Sequence, residues 1–258
     1  KNDRMILFRL VILGAGFIML WQLLVTVTGA PHYILPGPLP VYSALISNGS
    51  TLFNHLQITV TEILAGLAIG TLLGCSCALT MFLSPHLKRW MLPVLVVSQA
   101  IPVFALAPIL VLWLGYGMAS KIAMAVLIIF FPVASSFYHG LRRTDSDLLE
   151  LARVMDANTY GVLRFIIIPS ALPSFAAGLR VAAAVAPIGA IVGEWVGSSA
   201  GLGYYMLHAN ARMQIDNMFA ALTLLSIASL IIYFSIDFLL NKLIYWETPQ
   251  ELNHASNV

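Results

Sequence analysis

Charged side chains are scarce in this chain. Lys, Arg, Asp and Glu together make up 9% of its 258 residues, whereas hydrophobic residues make up 60%. A soluble domain normally carries about 25% charged residues, and the mean hydropathy here is +0.90. This balance excludes an ordinary soluble domain and predicts an integral membrane protein. The net charge of +2 is too small to indicate a nucleic-acid partner.

Few residues could support metal or covalent chemistry. The only two cysteines, Cys75 and Cys77, lie within an apolar run, and a C-x-C pair on a helix points in two directions, so inert side chains are expected. The six histidines show no ligand spacing, and the sequence has no Gly-Lys-Ser/Thr of a phosphate-binding P-loop. We therefore predict a chain that is not an enzyme and holds no metal or cofactor of its own.

One segment matches a catalytic motif. Gly197 to Gly201 fit the G-x-S-x-G pattern of serine hydrolases, but that motif requires a strand before it, and here a predicted membrane helix precedes it. An intramembrane serine protease would need a His base in a neighbouring span. His139 lies near the end of its span, and His208 shares a loop with Ser199, so we assign no catalytic residue.

Six apolar segments are long enough to cross a bilayer, which takes about 20 residues. The first could be a signal peptide, because residues 27–30 faintly match a cleavage site, but its apolar run exceeds the core of about 7–15 residues typical of such signals. The sequence therefore predicts an all-α integral membrane protein, one domain over residues 1–258, with transmembrane helices at about 10–27, 57–83, 91–115, 122–140, 175–196 and 216–243.

The basic residues predict the orientation of these six helices. With both termini in the cytoplasm, all of the 13 Lys and Arg residues except Lys121 and Arg212 fall on or near the cytoplasmic side. The positive-inside rule therefore places both termini, and the loop after the fourth helix, in the cytoplasm.

That loop, residues 144–169, interleaves acidic, basic and apolar residues. Thr144 and Asp147 fit a capping box that begins a helix, Asp156 starts a turn, and Asn158 or Thr159 caps a second short helix that Pro169 ends. Apolar residues recur at helical spacing in the first helix, at Leu148, Leu149, Ala152 and Met155. The pattern predicts a helical hairpin outside the bilayer whose apolar face needs a partner.

Two features inside the spans suggest how the helices pack and bend. Gly66, Gly70 and Gly74 form a small-residue stripe, which lets membrane helices approach closely. The span 91–115 contains several prolines, which kink a helix where it lines a cavity or packs on protein. We therefore name Gln99 and Pro102 as candidates for a translocation path.

Ionisable residues at membrane depth are costly and usually face a cavity or a partner. Glu194 and Glu62 are therefore further candidates for the translocation path, although solvation in the headgroup region would also explain Glu194. Asp237 is expected to pair with Lys242 or to meet water. An acidic Glu194, with no basic residue at membrane depth, fits a neutral or weakly basic solute.

The hairpin also resembles the cytoplasmic loop of ABC-importer permeases. The family pattern is Glu-Ala-Ala, three residues, Gly, nine residues and Ile-x-Leu-Pro, and its spacing matches Glu150-Leu151-Ala152, Asp156 and Ile166-Ile167-Ile168-Pro169. Leu151, Asp156 and Ile168 depart from it, but Asp tolerates a left-handed backbone and could still make the turn. Further likeness covers residues 35–244, in the segments 35–38, 99–102, 113–117, 120–122, 201–203 and 219–221.

This resemblance implies a type I ABC-importer permease fold in the bacterial inner membrane. It implies a homodimer, a periplasmic binding protein and two ATPase subunits, which would bind the ATP and Mg. The hairpin would dock into a groove of the ATPase, and the expected docking residues are Asp147, Leu148, Glu150, Leu151, Ala152, Arg153, Met155, Asp156 and Ala157.

The resemblance also suggests a substrate. The chain is similar to the branch that takes up nitrate, sulfonates, taurine, riboflavin and thiamine pyrimidine precursors. Residues 193–199 and 208–214 look most like permeases for hydroxymethylpyrimidine-type precursors. A sulfonate, taurine or nitrate permease is the alternative. A stand-alone secondary transporter is a further one, but it would have no use for the hairpin and might show inverted repeats, which we do not find.

Overall fold

The computed structural model describes residues 2–246, with the side chains of residue 12 and of residues 14–246. Lys1 and the side chains of Arg4 and Arg9, which entered the orientation prediction, lie outside this part. Within it the chain is helical and forms no strand. The elements are α1 (Asn2–Thr28), α2 (Pro38–Ser47), α3 (Gly49–Leu83), α4 (Pro85–Ala100), α5 (Val103–Leu114), α6 (Met118–Arg142), α7 (Ser146–Val154), α8 (Thr159–Val162), a π-helical segment (Leu163–Ile167), α9 (Ile168–Gly197), α10 (Leu202–Ala211) and α11 (Ile215–Leu243).

All six segments predicted to cross the bilayer are helical. Among the described residues, four single helices are long and apolar enough to span a membrane, and a bent pair makes a fifth. The sixth predicted segment is α1, a helix of 27 residues. Helix α3 contains the predicted span 57–83 and extends it toward the N-terminus, because it begins at Gly49 and has 35 residues. At 1.5 Å per residue, α3 is about 52 Å long, which exceeds the bilayer core of about 30 Å.

The predicted span 91–115 is wrong as one continuous helix. It is divided between α4 and α5, which meet at Ile101 and Pro102 with a bend of 103°. Proline lacks the N–H that continues a helix, and it disfavours helical backbone at the residue before it. Ile101 is accordingly extended, with φ −82° and ψ 122°. The pair therefore makes at most one crossing, with a sharp corner inside it.

The centre of the subunit is the packing of α3 against α6. A Cβ atom built on Gly66, Gly70 or Gly74 would come within 2.5–3.0 Å of α6 side chains, namely those of Ala125, Ile129 and Val133. Distances below 3.0 Å, as at Gly66 and Gly70, are essentially absent for real Cβ atoms, and the 3.0 Å at Gly74 is tighter than most real Cβ contacts, so a side chain at these positions would push α3 and α6 apart. The predicted glycine stripe is confirmed. Because the contacts advance together along both helices, α3 and α6 run parallel.

Helix α9 returns antiparallel along α6. A Cβ on Gly178 would lie 2.6 Å from the Pro132 carbonyl oxygen, and one on Gly189 would lie 2.6 Å from the Ala125 Cα. Such close backbone approach replaces the hydrophobic driving force that is missing between helices in lipid. The segment α7–α8 joins α6 to α9 at one end of the bundle, which we call the hairpin end. The α9–α10 loop lies at the opposite end.

Helices α1, α2 and α11 meet at the opposite end. The Trp21 indole N–H donates to the Pro36 carbonyl at 3.1 Å, and its ring stacks on Phe219 with centroids 6.1 Å apart. Asn48 Nδ2 donates to Asn217 Oδ1 at 3.0 Å. The C-terminus of α1 and the N-terminus of α11 therefore lie together, far from the hairpin end.

At the hairpin end, a charge pair joins α9 to α11. Arg180 Nε donates to Asp237 Oδ1 at 2.6 Å, and Arg180 Nη2 donates to Asn241 Oδ1 at 2.6 Å. The expected pairing of Asp237 with Lys242 is wrong. On a helix the neighbour of residue i is i+4, which here is Asn241, so Lys242 points in another direction.

Candidate functional site

The hairpin begins at Asp145, one residue later than predicted. Its carboxylate accepts from the N–H of Asp147 at 3.0 Å, as an N-cap residue does. The predicted capping box of Thr144 and Asp147 is therefore wrong. The Thr144 hydroxyl instead donates to the Leu141 carbonyl at 3.3 Å, because the chain is still completing the last turn of α6 at that position.

The turn of the hairpin is the one that the sequence predicted. Asp156 has a φ of 56°, in the left-handed region that Asp tolerates better than most residues. Its N–H donates to the Arg153 carbonyl, and the Ala157 N–H donates to the Ala152 carbonyl, each at 3.0 Å. This pair of bonds is the Schellman motif that ends a helix. An aspartate thus makes the turn for which the permease pattern has glycine.

The second arm of the hairpin is not a separate short helix. Asn158 caps α8 by accepting from the Gly161 N–H at 2.6 Å, as expected. Beyond it the helix continues through the π segment into α9, giving one run of 39 residues, Thr159–Gly197. The prediction that Pro169 ends the helix is wrong. The wider π turn just before Pro169 accommodates a residue without an N–H.

The hairpin exposes most of its predicted docking residues. Ala152 is the exception, because it is buried with 3% of its surface exposed and packs inward. The exposed predicted residues are Asp147, Leu148, Glu150, Leu151, Arg153, Met155, Asp156 and Ala157.

Sequence analysis missed three apolar residues of this surface. Val154, Tyr160 and Phe165 are 85%, 65% and 73% exposed. Together with Leu148, Leu151 and Met155, Val154 continues a stripe at helical spacing, and we call these four residues the hairpin stripe. Residues 148, 151 and 154 follow a readable i, i+3, i+6 pattern, whereas the predicted apolar face comprises Leu148, Leu149, Ala152 and Met155, of which Ala152 is buried.

The two path candidates on α4–α5 lie at the corner between these helices. Gln99 and Pro102 are both exposed on the subunit. Ile101 and Phe104, at the same corner, are also exposed. The corner is therefore a surface of the single subunit and not part of its core.

The other two path candidates lie inside the subunit. Glu62 and Glu194 are 0% and 1% exposed, and the carboxylate of Glu194 accepts from the Thr59 hydroxyl at 2.6 Å. Neither carboxyl group reaches the subunit surface. The structure brings these two residues together with three that were not named as site residues. We call the five the buried polar cluster: His55, Thr59, Glu62, Lys121 and Glu194.

Lys121 is one of the two basic residues predicted on the non-cytoplasmic side, and it is buried, with 5% of its surface exposed. Its ammonium group lies 3.9 Å from Glu62 Oε1 and donates to the Tyr116 carbonyl at 3.3 Å. Lys121 lies in the first turn of α6, at the opposite end of the bundle. Close packing of α9 there covers it, since a Cβ on Gly193 would lie 3.0 Å from the Lys121 Cα.

The buried polar cluster caps α10, a helix that the sequence analysis did not predict. The first N–H groups of a helix have no partner within it, and the N-cap residue of α10 is Gly201, which has no side chain. Side chains from α3 and α9 accept instead: His55 Nδ1 from Gly201 at 3.0 Å, Thr59 Oγ1 from Leu202 at 2.8 Å, and Glu194 Oε2 from Gly203 and from Tyr204, the latter at 3.3 Å.

This cap requires glycine at its centre. Gly201 has a φ of 107°, and a Cβ there would collide with the Glu194 carboxyl group. A carboxylate at a helix N-terminus is also favoured by the helix dipole. The cluster therefore holds the first turn of α10 against α3. The hydrogen bonds that do so join Thr59 of α3 to residues about 140 positions later in the sequence, Glu194 and Leu202.

Comparison with known proteins assigns the chain to a family. A family model described as the binding-protein-dependent transport system inner membrane component matches residues 70–244. A probable ABC transporter permease protein of Haemophilus influenzae is 53% identical over 92% of this chain and 96% of that protein. The formylaminopyrimidine transport permease protein ThiX of Halalkalibacterium halodurans is 39% identical over 90% of this chain and 93% of that protein.

Solved structures give the same fold. The inward-facing MetNI methionine ABC transporter matches with a TM-score of 0.58 at 20% identity, over 71% of this chain and 93% of the matched chain. The fold is thus that of type I ABC-importer permeases. The chain belongs to the family of binding-protein-dependent transport system inner membrane components, and it is an ABC-importer permease subunit.

Proposed function

We propose that this permease subunit works as a homodimer that imports a thiamine pyrimidine precursor of the hydroxymethylpyrimidine type. The relative named for formylaminopyrimidine transport supports this substrate, because its 39% identity extends over 90% of the chain. Residues 193–199 and 208–214 support it through their resemblance to such permeases. A periplasmic binding protein delivers the substrate, in line with the family description.

The charge of Glu194 gives no support to this substrate. Its carboxylate is buried within the subunit and is occupied by Thr59 and the start of α10. A group in that position does not contact a solute on the surface of the subunit. The corner at Gln99 and Pro102 is the better candidate for the path, because its polar and apolar groups are exposed.

The hairpin is the proposed docking element for the ATPase subunit, and the observation that best supports this role is the hairpin stripe. Its four apolar side chains are 44–85% exposed on a short helix outside the apolar spans. Large apolar patches on water-exposed surfaces indicate a binding partner. Exposed Glu150 and Arg153 on the same helix add charges that can set the register of docking.

A continuous helix connects the proposed docking site to the opposite end. The run Thr159–Gly197 begins in the hairpin and ends three residues after Glu194. ATP binding in the partner would draw the two hairpins of the dimer together. The stiff run would transmit this movement to the bundle and change the access of the path from one side to the other. The hairpin and both termini are cytoplasmic in this proposal.

Docking can be tested by co-purification with the ATPase subunit encoded with this permease. We expect Glu150→Arg and Leu151→Glu each to reduce the amount of ATPase subunit that co-purifies with the permease by at least ten-fold. The rate of ATP hydrolysis by the purified complex should fall by the same factor. Leu207→Glu is the matched control. Leu207 is also a leucine of a short helix with an exposed side chain, 46% of whose surface is accessible, but it lies on α10 at the opposite end. Retention of the ATPase by both hairpin variants would refute the docking surface.

The substrate can be tested with the same complex in proteoliposomes. We would measure ATP hydrolysis and uptake with the cognate binding protein loaded with formylaminopyrimidine, hydroxymethylpyrimidine, taurine or an alkanesulfonate. The proposal predicts stimulation by the pyrimidines alone. Stimulation by taurine or the sulfonate alone would assign the alternative substrate class and leave the docking surface unaffected.

A further inference from the structure

The carboxyl group of Glu62 has an unusual environment. It is 0% exposed, and both of its oxygen atoms lack a hydrogen-bond donor in the described part of the chain. An ionised carboxylate accepts several hydrogen bonds, and leaving it without them in a buried site costs a large part of its solvation energy. An ionised Glu62 would therefore have no compensating hydrogen bond from the described part of the protein.

The neighbours of Glu62 limit what that can be. Among the residues that the structure describes, the ammonium group close to Glu62 is that of Lys121 of α6, with its Nζ 3.9 Å from Glu62 Oε1, which is longer than a hydrogen bond. Glu194 of α9 binds Thr59, which lies one helical turn before Glu62 on the same face of α3, so its carboxylate lies beside Glu62. His55 accepts the Gly201 N–H through its Nδ1. Its ring lies against that of Tyr205 of α10, with the ring centroids 5.3 Å apart. A protonated imidazole cannot accept a hydrogen bond, so His55 is neutral here.

The charges of the buried polar cluster therefore do not balance if both carboxyl groups are ionised. Two carboxylates and one ammonium group leave a net charge of −1 in the interior of a membrane protein. Buried charges are normally paired, because desolvation of an uncompensated charge is costly. One additional positive charge would make the cluster neutral.

The geometry also indicates where that charge is bound. Glu194 accepts from the Thr59 hydroxyl and from two backbone N–H groups of α10, so its ionised form is well solvated by the protein. Glu62 accepts from no donor within the described residues, and the Glu194 carboxylate beside it, held on Thr59, is itself an acceptor. Two carboxyl groups in contact form a hydrogen bond only when one of them carries a proton.

We propose that the buried polar cluster is a proton-binding site, in which a neutral Glu62 donates its proton to the carboxylate of Glu194. The bound proton links α3 to α9 and, through Glu194, to the first turn of α10. Together with Lys121 it makes the cluster neutral. The inference concerns the subunit itself and does not depend on which solute is imported.

Carboxyl protonation can be measured directly by solid-state NMR. The chain has five glutamates and four lysines, so labelling the permease with ¹³Cδ-glutamate and ¹⁵Nζ-lysine gives few signals. We would record the complete complex in lipid at pH 7.5 with unlabelled partner subunits. One Glu signal is expected at the chemical shift of a neutral carboxylic acid, with a dipolar contact to a lysine Nζ. Five ionised signals, or a neutral signal without such a contact, would overturn the proposal.

A matched pair of substitutions tests the assignment to Glu62. Glu62→Gln keeps the size of the side chain and a hydrogen-bond donor toward Glu194, so we expect the complex to assemble, its melting temperature to stay close to that of the wild type and the neutral carboxyl signal to disappear. Glu194→Gln, the same change in its partner, removes the negative charge at the start of α10 and replaces one of the two oxygen atoms that accept from Thr59 and the α10 amides with an NH2 donor, so we expect a clearly larger fall in the melting temperature. Equal falls in the melting temperatures of the two variants would contradict the asymmetric pair, and the wild-type spectrum decides alone if neither variant assembles.

Discussion

Thr59 and Glu194 lie 135 residues apart in sequence, and their side chains form a hydrogen bond of 2.6 Å in the interior of the subunit. The same Thr59 hydroxyl accepts from the N–H of Leu202 at 2.8 Å. One hydroxyl group thus serves as donor to α9 and as acceptor for α10. A change at Thr59 should therefore affect two connections of the cluster at once.

We expect Thr59→Val to destabilise the subunit. Valine has nearly the same shape, but it leaves the Leu202 N–H and one Glu194 oxygen without a partner, and each unsatisfied buried group costs about 1–3 kcal/mol. The measurement is the thermal melting temperature of the permease in lipid nanodiscs. Thr59→Ser retains the hydroxyl group and is the control, and a Val variant as stable as the Ser variant would contradict this role of Thr59.

The α3–α6 interface gives a second prediction. We expect Gly66→Ala to lower the melting temperature or prevent assembly, because the new methyl group would lie 2.5 Å from the Ala125 Cβ. Overpacking of a tight interface typically costs about 1–3 kcal/mol. Gly49→Ala is the matched control on the same helix, since a Cβ at Gly49 has no neighbour within 4 Å. Similar effects of the two substitutions would contradict the close packing of α3 on α6.

The turn of the hairpin gives a third prediction, in which two substitutions of Asp156 have different effects on binding of the ATPase subunit. Asp156 has a φ of 56°, a conformation that costs an ordinary residue about 1–2 kcal/mol. Asp156→Gly should preserve or strengthen ATPase co-purification, whereas Asp156→Val should weaken it, because a β-branched residue strains the turn. The amount of ATPase recovered per permease checks both. A Val variant that binds the ATPase as well as the Gly variant would show that the turn is not needed in this form.

The orientation can be checked by labelling cysteines with a membrane-impermeant maleimide. We expect Ser146→Cys, at the start of α7, to react only after the cytoplasmic side is opened, and Arg212→Cys, next to α10, to react in intact spheroplasts. Both positions are exposed on the subunit. Native Cys77 is buried and Cys75 partly buried, and the unsubstituted chain measures their background. The reverse pattern of labelling would overturn the cytoplasmic placement of the hairpin.

The Arg180–Asp237 pair gives a fifth prediction. Both side chains are about one-third exposed, so solvent screening limits the contribution of the pair to about 1 kcal/mol. We expect Arg180→Gln and Asp237→Asn each to lower the melting temperature slightly. The double variant should be little worse than either single variant. Fully additive losses would show that the two residues act independently.

Local patterns predicted a large part of this protein correctly. The helix positions followed from apolar runs, and the turn at Asp156 followed from the backbone preferences of one residue type. The glycine stripe of α3 was readable because spacing of four places Gly66, Gly70 and Gly74 on one face. Errors arose where local rules compete: Thr144 and Asp145 could each cap α7, and Pro169 could end a helix or follow a π turn.

The sequence by itself determined that this chain is a helical membrane protein with a hairpin outside the spans, because composition, hydropathy and helical spacing are properties of neighbouring residues. Only the tertiary structure decided the sharp corner between α4 and α5, the inward position of Ala152 and the burial of Glu62, Lys121 and Glu194. These depend on which helices meet, and no local pattern indicates that residues of α3 and α9 cap a helix that begins at Leu202. The physical reason is that buried polar groups select partners by proximity in space, and proximity is set by the packing of helices that are distant in the chain.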